Sequence, residues 1–272
     1  MVIQHNIAAI NSYRNLSTNQ SALSKNLEKL SSGYKINRAG DDAAGLAISE
    51  TMRSQINGLN QAVNNANDAI GLIQTAEGAM TETHSMLQRM KTLTTQAANG
   101  TYTEAARKNI QSEIDALNSE ITRIASTTEF NGEKPLSNGG KNLTFFIGAS
   151  SDKTNAMTVG QQNMTADVLK VKAITVKTTT QAFQAMKAVD DAITTVSIYR
   201  AQLGAAQNRL EHTVNNLKVT SENITSAESR IRDTDMADEI TAYTKNNILL
   251  QAAQSMLSQS NAMPQGVLSM LQ

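Results

Sequence analysis

Along most of the chain apolar residues recur three and four positions apart, the spacing that puts them on one face of an α-helix. Ile3, Ile7, Ile10, Leu16, Leu23, Leu27 and Leu30 form the first such stripe, set among Asn, Ser, Gln and Lys; Ser31-Ser32-Gly33 closes it with a glycine suited to a left-handed cap. A stripe this narrow predicts a helix that is marginal alone in water and needs a partner surface. Tyr34 to Asp42 has no helical period and reads as a connector, with Asp41 or Asp42 placed to cap the second helix. Ile48, Met52, Ile56, Leu59, Val63, Ala66, Ile70, Ile73, Met80, His84 and Leu87 predict that helix as one long element reaching about Ala98. Gly58, Gly71 and Gly78 lie inside it, and with Ala62, Ala66, Ala69 and Ala76 they point to close approach of another helix.

Asn99-Gly100 breaks the pattern, and Thr101 to Glu104 has the spacing of a capping box ahead of a third helix carrying Ile110, Ile114, Leu117, Ile121 and Ile124. From about 130 to 177 the texture changes to glycines and short β-favouring runs: Leu143 to Ile147, Met157 to Val159, and Ile174 to Val176. The next segment is the most regular. Val189, Val196, Leu203, Leu210, Leu217, Ile224 and Ile231 recur every seven residues, beside a half-apolar companion stripe of Met186, Ile193, Arg200, Gln207, Val214, Ser221 and Glu228. Sustained heptads predict a coiled-coil seam over Phe183 to Arg232. Asp233-Thr234-Asp235 interrupts it, and a last helix carries Met236, Ile240, Tyr243, Leu250 and Leu257 ahead of Pro264.

These elements predict a mainly α protein: a long antiparallel helical, coiled-coil rod with a small β-hairpin insert and paired N- and C-terminal helices. Residues 1–42 with 233–272 would form a terminal coiled coil, and 43–232 the helical rod, with its insert at about 130–177. Two narrow-striped terminal helices bury only part of their apolar area against each other. The remaining area predicts self-assembly, with Ile3, Ile7, Ile10, Leu16, Leu23, Leu27, Leu30, Met236, Ile240, Tyr243, Leu250 and Leu257 as its seams.

Composition narrows the function classes. The chain has 24 Lys+Arg against 24 Asp+Glu, so the electrostatic footprint of a nucleic-acid binder is missing and repulsion between copies is small. Aromatics are 3%, with no Trp, so the core has to come from aliphatic residues and the 12 Met. Cysteine is absent, which removes disulfides, thiolate metal sites and cysteine nucleophiles. The first residues show no basic region followed by an apolar block, and no run approaches the ~20 apolar residues of a membrane span. No membrane insertion and no cleaved signal peptide are therefore expected.

No catalytic, cofactor-binding or metal-binding set emerges, and no enzymatic activity or cofactor is expected. His5, His84 and His212 are the only histidines and none has ligand spacing. Charges alternate on helices: Arg107 with Lys108 and Glu113, and Glu228 with Arg230 and Arg232, read as solvated faces.

Several stretches carry a family signature. Residues 31–49 (SSGYKINRAGDDAAGLAIS), 128–132 (TEFNG), 203–211 (LGAAQNRLE) and 226–237 (SAESRIRDTDMA) resemble, in order, the corresponding stretches of bacterial flagellins. The likeness spans almost the whole chain; the middle departs, being too short for the large outer domains many flagellins carry. The resemblance implies the repeating subunit of a helical flagellar filament, located outside the cell. It implies passage unfolded through the flagellar type III export channel and addition beneath a cap. Its partners would be other copies of itself, an export chaperone at the C-terminal helix, and hook-associated and cap proteins. It also implies contact with the flagellin-sensing Toll-like receptor 5 of an animal host through Arg89, Leu93 and Glu113, in a stretch where Met90, Lys91, Thr92, Thr94 and Thr95 depart from the commonest family pattern. The plainer possibility is that Arg89 and Glu113 belong to packing between subunits. Two other identities compete: the hook–filament junction protein of the same family, and a chemoreceptor-type signalling coiled coil, which the glycine-rich insert argues against.

Overall fold

The computed structural model describes residues 6–137, 139–150 and 152–270, with the backbone alone at 264, 265 and 267–270. Contacts divide the chain into two units, Met1–Ser54 with Glu222–Gln272, and Gln55–Ser221. The elements in chain order are α1 (Ile7–Ser32), α2 (Ala43–Ala98), α3 (Glu104–Thr127), β1 (Asn142–Phe146), β2 (Ala156–Gly160), α4 (Thr179–Arg232) and α5 (Met236–Met270).

Local chemistry sets the helix ends. Asn6 opens α1 by accepting the Ala9 N–H at 3.0 Å, and Gly33 closes it at φ +75°, a conformation that costs a residue with a Cβ. Of the two acids ahead of α2, Asp42 is the cap, accepting the Gly45 N–H at 2.9 Å. Asp41 instead folds the connector, accepting the N–H groups of Arg38 (3.1 Å) and Asn37 (3.3 Å). Those backbone donors, Arg38 foremost, hold its carboxyl below the usual aspartate value. The cap of α3 corrects the sequence expectation: it is Thr103, accepting from Ala106 N–H at 3.3 Å. Thr101 lies in the preceding turn, where its N–H goes to Asn99 Oδ1, so the Thr101–Glu104 spacing forms no box. Asp235 opens α5 by accepting from the N–H groups of Ala237 and Asp238. The α5 backbone stays helical through Pro264 to Met270, beyond the point where the apolar stripe ended.

In the Gln55–Ser221 unit, α2 buries Leu59, Ala62, Ala66, Ala69, Ile73, Ala76, Met80, Thr83, Leu87, Met90, Thr94 and Ala97, alternating steps of three and four. The facing stripe on α4 is Ala182, Ala185, Val189, Ala192, Val196, Tyr199, Leu203, Leu210, Val214 and Leu217. The companion to the seven-residue repeat therefore starts one position earlier than expected, at Ala185, Ala192 and Tyr199 rather than Met186, Ile193 and Arg200. Small alanines seat the facing helix closely, and the longer side chains one position on lie at the margin. Ile224 and Ile231, in the other unit, are half-buried. Arg200–Glu77 (3.2 Å), Lys91–Asp190 (2.7 Å) and Ser221–Asn60 (3.3 Å) fix an antiparallel register. The α2 glycines are not the source of the close approach: Gly71 faces the Phe130 ring, Gly58 faces Ala149, and Gly78 meets nothing within 4 Å.

Helix α3 and the insert cover this seam. β1 and β2 pair antiparallel, Leu143 opposite Val159 and Phe145 opposite Met157, with Met157 and Val159 buried. The third β-favouring run, Ile174 to Val176, forms no strand. Its backbone is taken by Gln111 of α3, whose amide donates to the Ile174 carbonyl (2.9 Å) and accepts the Val176 N–H (2.8 Å). Arg107 also departs from the solvated face expected for it. Its guanidinium donates to the carbonyls of Ala97 and Asn99 and to Thr179 Oγ1, closing the end of α2. Burial pushes the Tyr199 phenol above its ordinary value.

Candidate assembly surface

The terminal helices α1 and α5 pair antiparallel. Asn6 Nδ2 donates to the Ser260 carbonyl at 2.8 Å near one end, and Lys29 meets Glu239 at 3.6 Å near the other. The inward line on α1 is Ala9, Ser12, Leu16, Asn19, Leu23, Asn26 and Leu30, spaced three and four, with Leu23 and Asn26 buried. Opposite it on α5 run Glu239, Tyr243, Asn246, Leu250, Ala253, Leu257 and Ser260. Half of this seam is polar. With its amide oriented to satisfy its surroundings, Asn26 donates to Glu239 Oε1 (3.0 Å) and accepts from Asn246 Nδ2 (2.9 Å).

The sequence-derived seam residues therefore split between two faces. Leu16, Leu23, Leu30, Tyr243, Leu250 and Leu257 face the intramolecular partner. Ile7 (62% exposed), Ile10 and Leu27 on α1, with Met236 and Ile240 on α5, face solvent. Ile3 lies outside the described residues. Tyr13 on α1 and Ile248, Leu249, Met256 and Met263 on α5 join the outward group. Sequence spacing missed the α5 members because apolar residues fall on more than one side of that helix: Ile248-Leu249-Leu250 run consecutively, so no one stripe stands out. Leu250 is covered by α1, while Ile248 and Leu249 beside it are exposed.

Arg89 Nε donates to Glu113 Oε1 at 2.8 Å, bridging α2 and α3 on the surface. Leu93 is 2% exposed and belongs to the core beneath. His84 lies beside Gln88 at 3.0 Å, His212 is exposed, and His5 lies outside the described residues. Among the described residues no three His, Cys, Asp or Glu side chains gather where they could hold a metal ion. Among the same residues no helix is long and apolar enough to cross a membrane.

Comparison with known proteins gives two family matches: the bacterial flagellin N-terminal helical region over residues 3–141, and the bacterial flagellin C-terminal helical region over 186–271. The chain is 51% identical to a flagellin of Bacillus subtilis (strain 168) over 305 aligned residues, covering 100% of both chains. It is 48% identical to a flagellin of Halalkalibacterium halodurans, again over 100% of both. Among solved structures, that of Bacillus cereus flagellin matches with a TM-score of 0.51 at 30% identity, covering 61% of this chain and 94% of the other.

Proposed function

This chain belongs to the bacterial flagellins and is a subunit of the flagellar filament, and from that premise we propose that the outward faces of α1 and α5 are where neighbouring copies pack. Flagellins are structural proteins that polymerise with themselves. The observation that carries the assignment of surface is the set of large apolar side chains left exposed on both terminal helices, Ile7, Ile10, Tyr13 and Leu27 on one and Met236, Ile240, Ile248 and Met256 on the other. Leaving that area in water is unfavourable by roughly 25 cal/mol per Å², a cost that a second copy removes. The inward seam, half polar, contributes less than an all-leucine seam would, so α1 and α5 gain most of their stability from neighbours.

On this account residues 1–42 and 233–272 build the inner layer of the filament. Before assembly the C-terminal helix is the segment most in need of shielding, and an export chaperone would cover it. Passage unfolded through the type III channel and delivery to the cap and hook-associated proteins fit a chain with no cysteine to lock it. An animal Toll-like receptor would meet the exposed Arg89–Glu113 pair, with Leu93 setting its backing from below.

Seeded growth followed by sedimentation tests the surface assignment. Deletion of residues 1–32 or 236–272 is expected to leave Gln55–Ser221 folded and the protein unable to elongate seeds. A deletion variant that elongates them at the parental rate overturns the assignment.

A further inference from the structure

Arg232, read from sequence as part of a solvated face, has only 11% of its side chain exposed. Its Cζ stands 4.7 Å from the centre of the Tyr34 ring, and its Nη1 donates to Glu50 Oε1 at 2.6 Å. Tyr34 comes from the connector between α1 and α2, and Glu50 from the start of α2. The backbone is joined at the same place. Lys35 N–H donates to the Arg232 carbonyl (2.7 Å), Thr234 N–H donates to the Gly33 carbonyl (3.0 Å), and Tyr34 with Asp233 forms an isolated antiparallel bridge. The hydrogen bond from Arg232 holds the Glu50 carboxyl below its ordinary value.

These contacts sit at the root of both terminal helices. Helix α1 ends at Ser32 and α5 begins at Met236, so both start from the joined connectors. Two backbone hydrogen bonds between connectors make, by themselves, a compliant joint. A planar guanidinium that stacks on a ring and pairs with a carboxylate from a second element makes a stiff one, since both contacts are directional. A polymer that grows by adding identical faces needs those faces in the same orientation in every copy.

We propose that Arg232 is a positioning residue for assembly: stacked on Tyr34 and paired with Glu50, it locks the base of the α1–α5 pair so that each copy offers its outward faces in one orientation. This rests on the assembly role of those faces.

The absence of native cysteine allows a clean test, because Ser24→Cys and Thr51→Cys, both exposed and both in the Met1–Ser54 with Glu222–Gln272 unit, can carry spin labels. Labelled chains are grown as a minor fraction into unlabelled parent filaments from parent seeds. The parent background is expected to give one narrow label-to-label distance. Arg232→Ala is expected to at least double the width and to raise the critical concentration of the variant about fivefold or more. Arg232→Lys, which keeps the charge but loses the planar group that stacks on Tyr34, is expected to broaden the distance as well, to a lesser extent than Arg232→Ala. Arg232→Ala incorporating at the parental concentration with the parental width overturns the proposal, as does a parental width in Arg232→Lys. If Arg232→Ala loses helix content, Tyr34→Leu decides: a broadened distance supports the lock and a parental width overturns it. Failure of the parent chain itself to elongate seeds would count against the assembly surface instead.

Discussion

Leu27 is half-exposed on α1 while Leu250 is turned toward the partner helix, and both are expected to be dry in the filament for different reasons. An aspartate buried without a partner costs several kcal/mol. Leu27→Asp is therefore expected to spare the single chain and abolish seeded growth, whereas Leu250→Asp also weakens the α1–α5 pair. Circular dichroism with sedimentation separates the two, and normal elongation by both variants would contradict the assignment. Asn26 makes a contrasting case. It is buried at a seam position and holds Glu239 and Asn246, an arrangement that fixes register at some expense in stability. Asn26→Leu is expected to raise the stability of the pair by about 1 kcal/mol. Mixed cross-linking between Cys substitutions along α1 and α5 would then report more than one register, where the parent reports one.

At the scale of elements, the long helices are legible in the sequence because their apolar residues are large and periodic. The repeat Val189, Val196, Leu203, Leu210, Leu217 is buried at each position, and the end of α2 at Ala98 comes from Asn99-Gly100. What spacing conceals is the share carried by small residues. Ala185 and Ala192 line the seam, yet a methyl group weighs little in a hydrophobic stripe, so spacing sets the companion line one residue late. Polar side chains that bond to backbone are equally hidden. Gln111 occupies the Ile174 to Val176 segment that β-propensity marks as a strand, and Arg107 closes α2 from a helix away. Neither leaves a periodic trace. Because Leu203 is 2% exposed in the middle of the α4 seam, Leu203→Ala should cost roughly 2–5 kcal/mol, seen as a lowered Tm for the Gln55–Ser221 unit. A variant melting with the parent would show that this seam does not hold the unit together.

At the scale of the whole molecule, the two units close their seams to different degrees. The interior of Gln55–Ser221 is closed by its own chain, with Ile73, Met80, Leu87, Val189 and Val196 all fully buried. The terminal pair is not closed: of the residues assigned to its seams from sequence, Leu16, Leu23, Leu30, Tyr243, Leu250 and Leu257 meet within the chain and Ile7, Ile10, Leu27, Met236 and Ile240 do not. That division could not be read from spacing, because an apolar stripe looks alike whether a sister helix or a sister molecule covers it. It becomes visible only when α1 and α5 are set side by side and exposed apolar side chains are left over. Flagellins polymerise with themselves, and another copy of the same chain is the partner proposed for those side chains.

Amide hydrogen exchange, followed residue by residue in dilute protein and in assembled filaments, tests this most directly. Helix α2 between Leu59 and Ala97 and α4 between Ala182 and Leu217 are expected to be protected in both forms. The amides of α1 and α5 are expected to exchange rapidly in the dilute chain and to become protected only in the filament. Strong and equal protection of α1 and α5 in both forms would contradict the assembly surface.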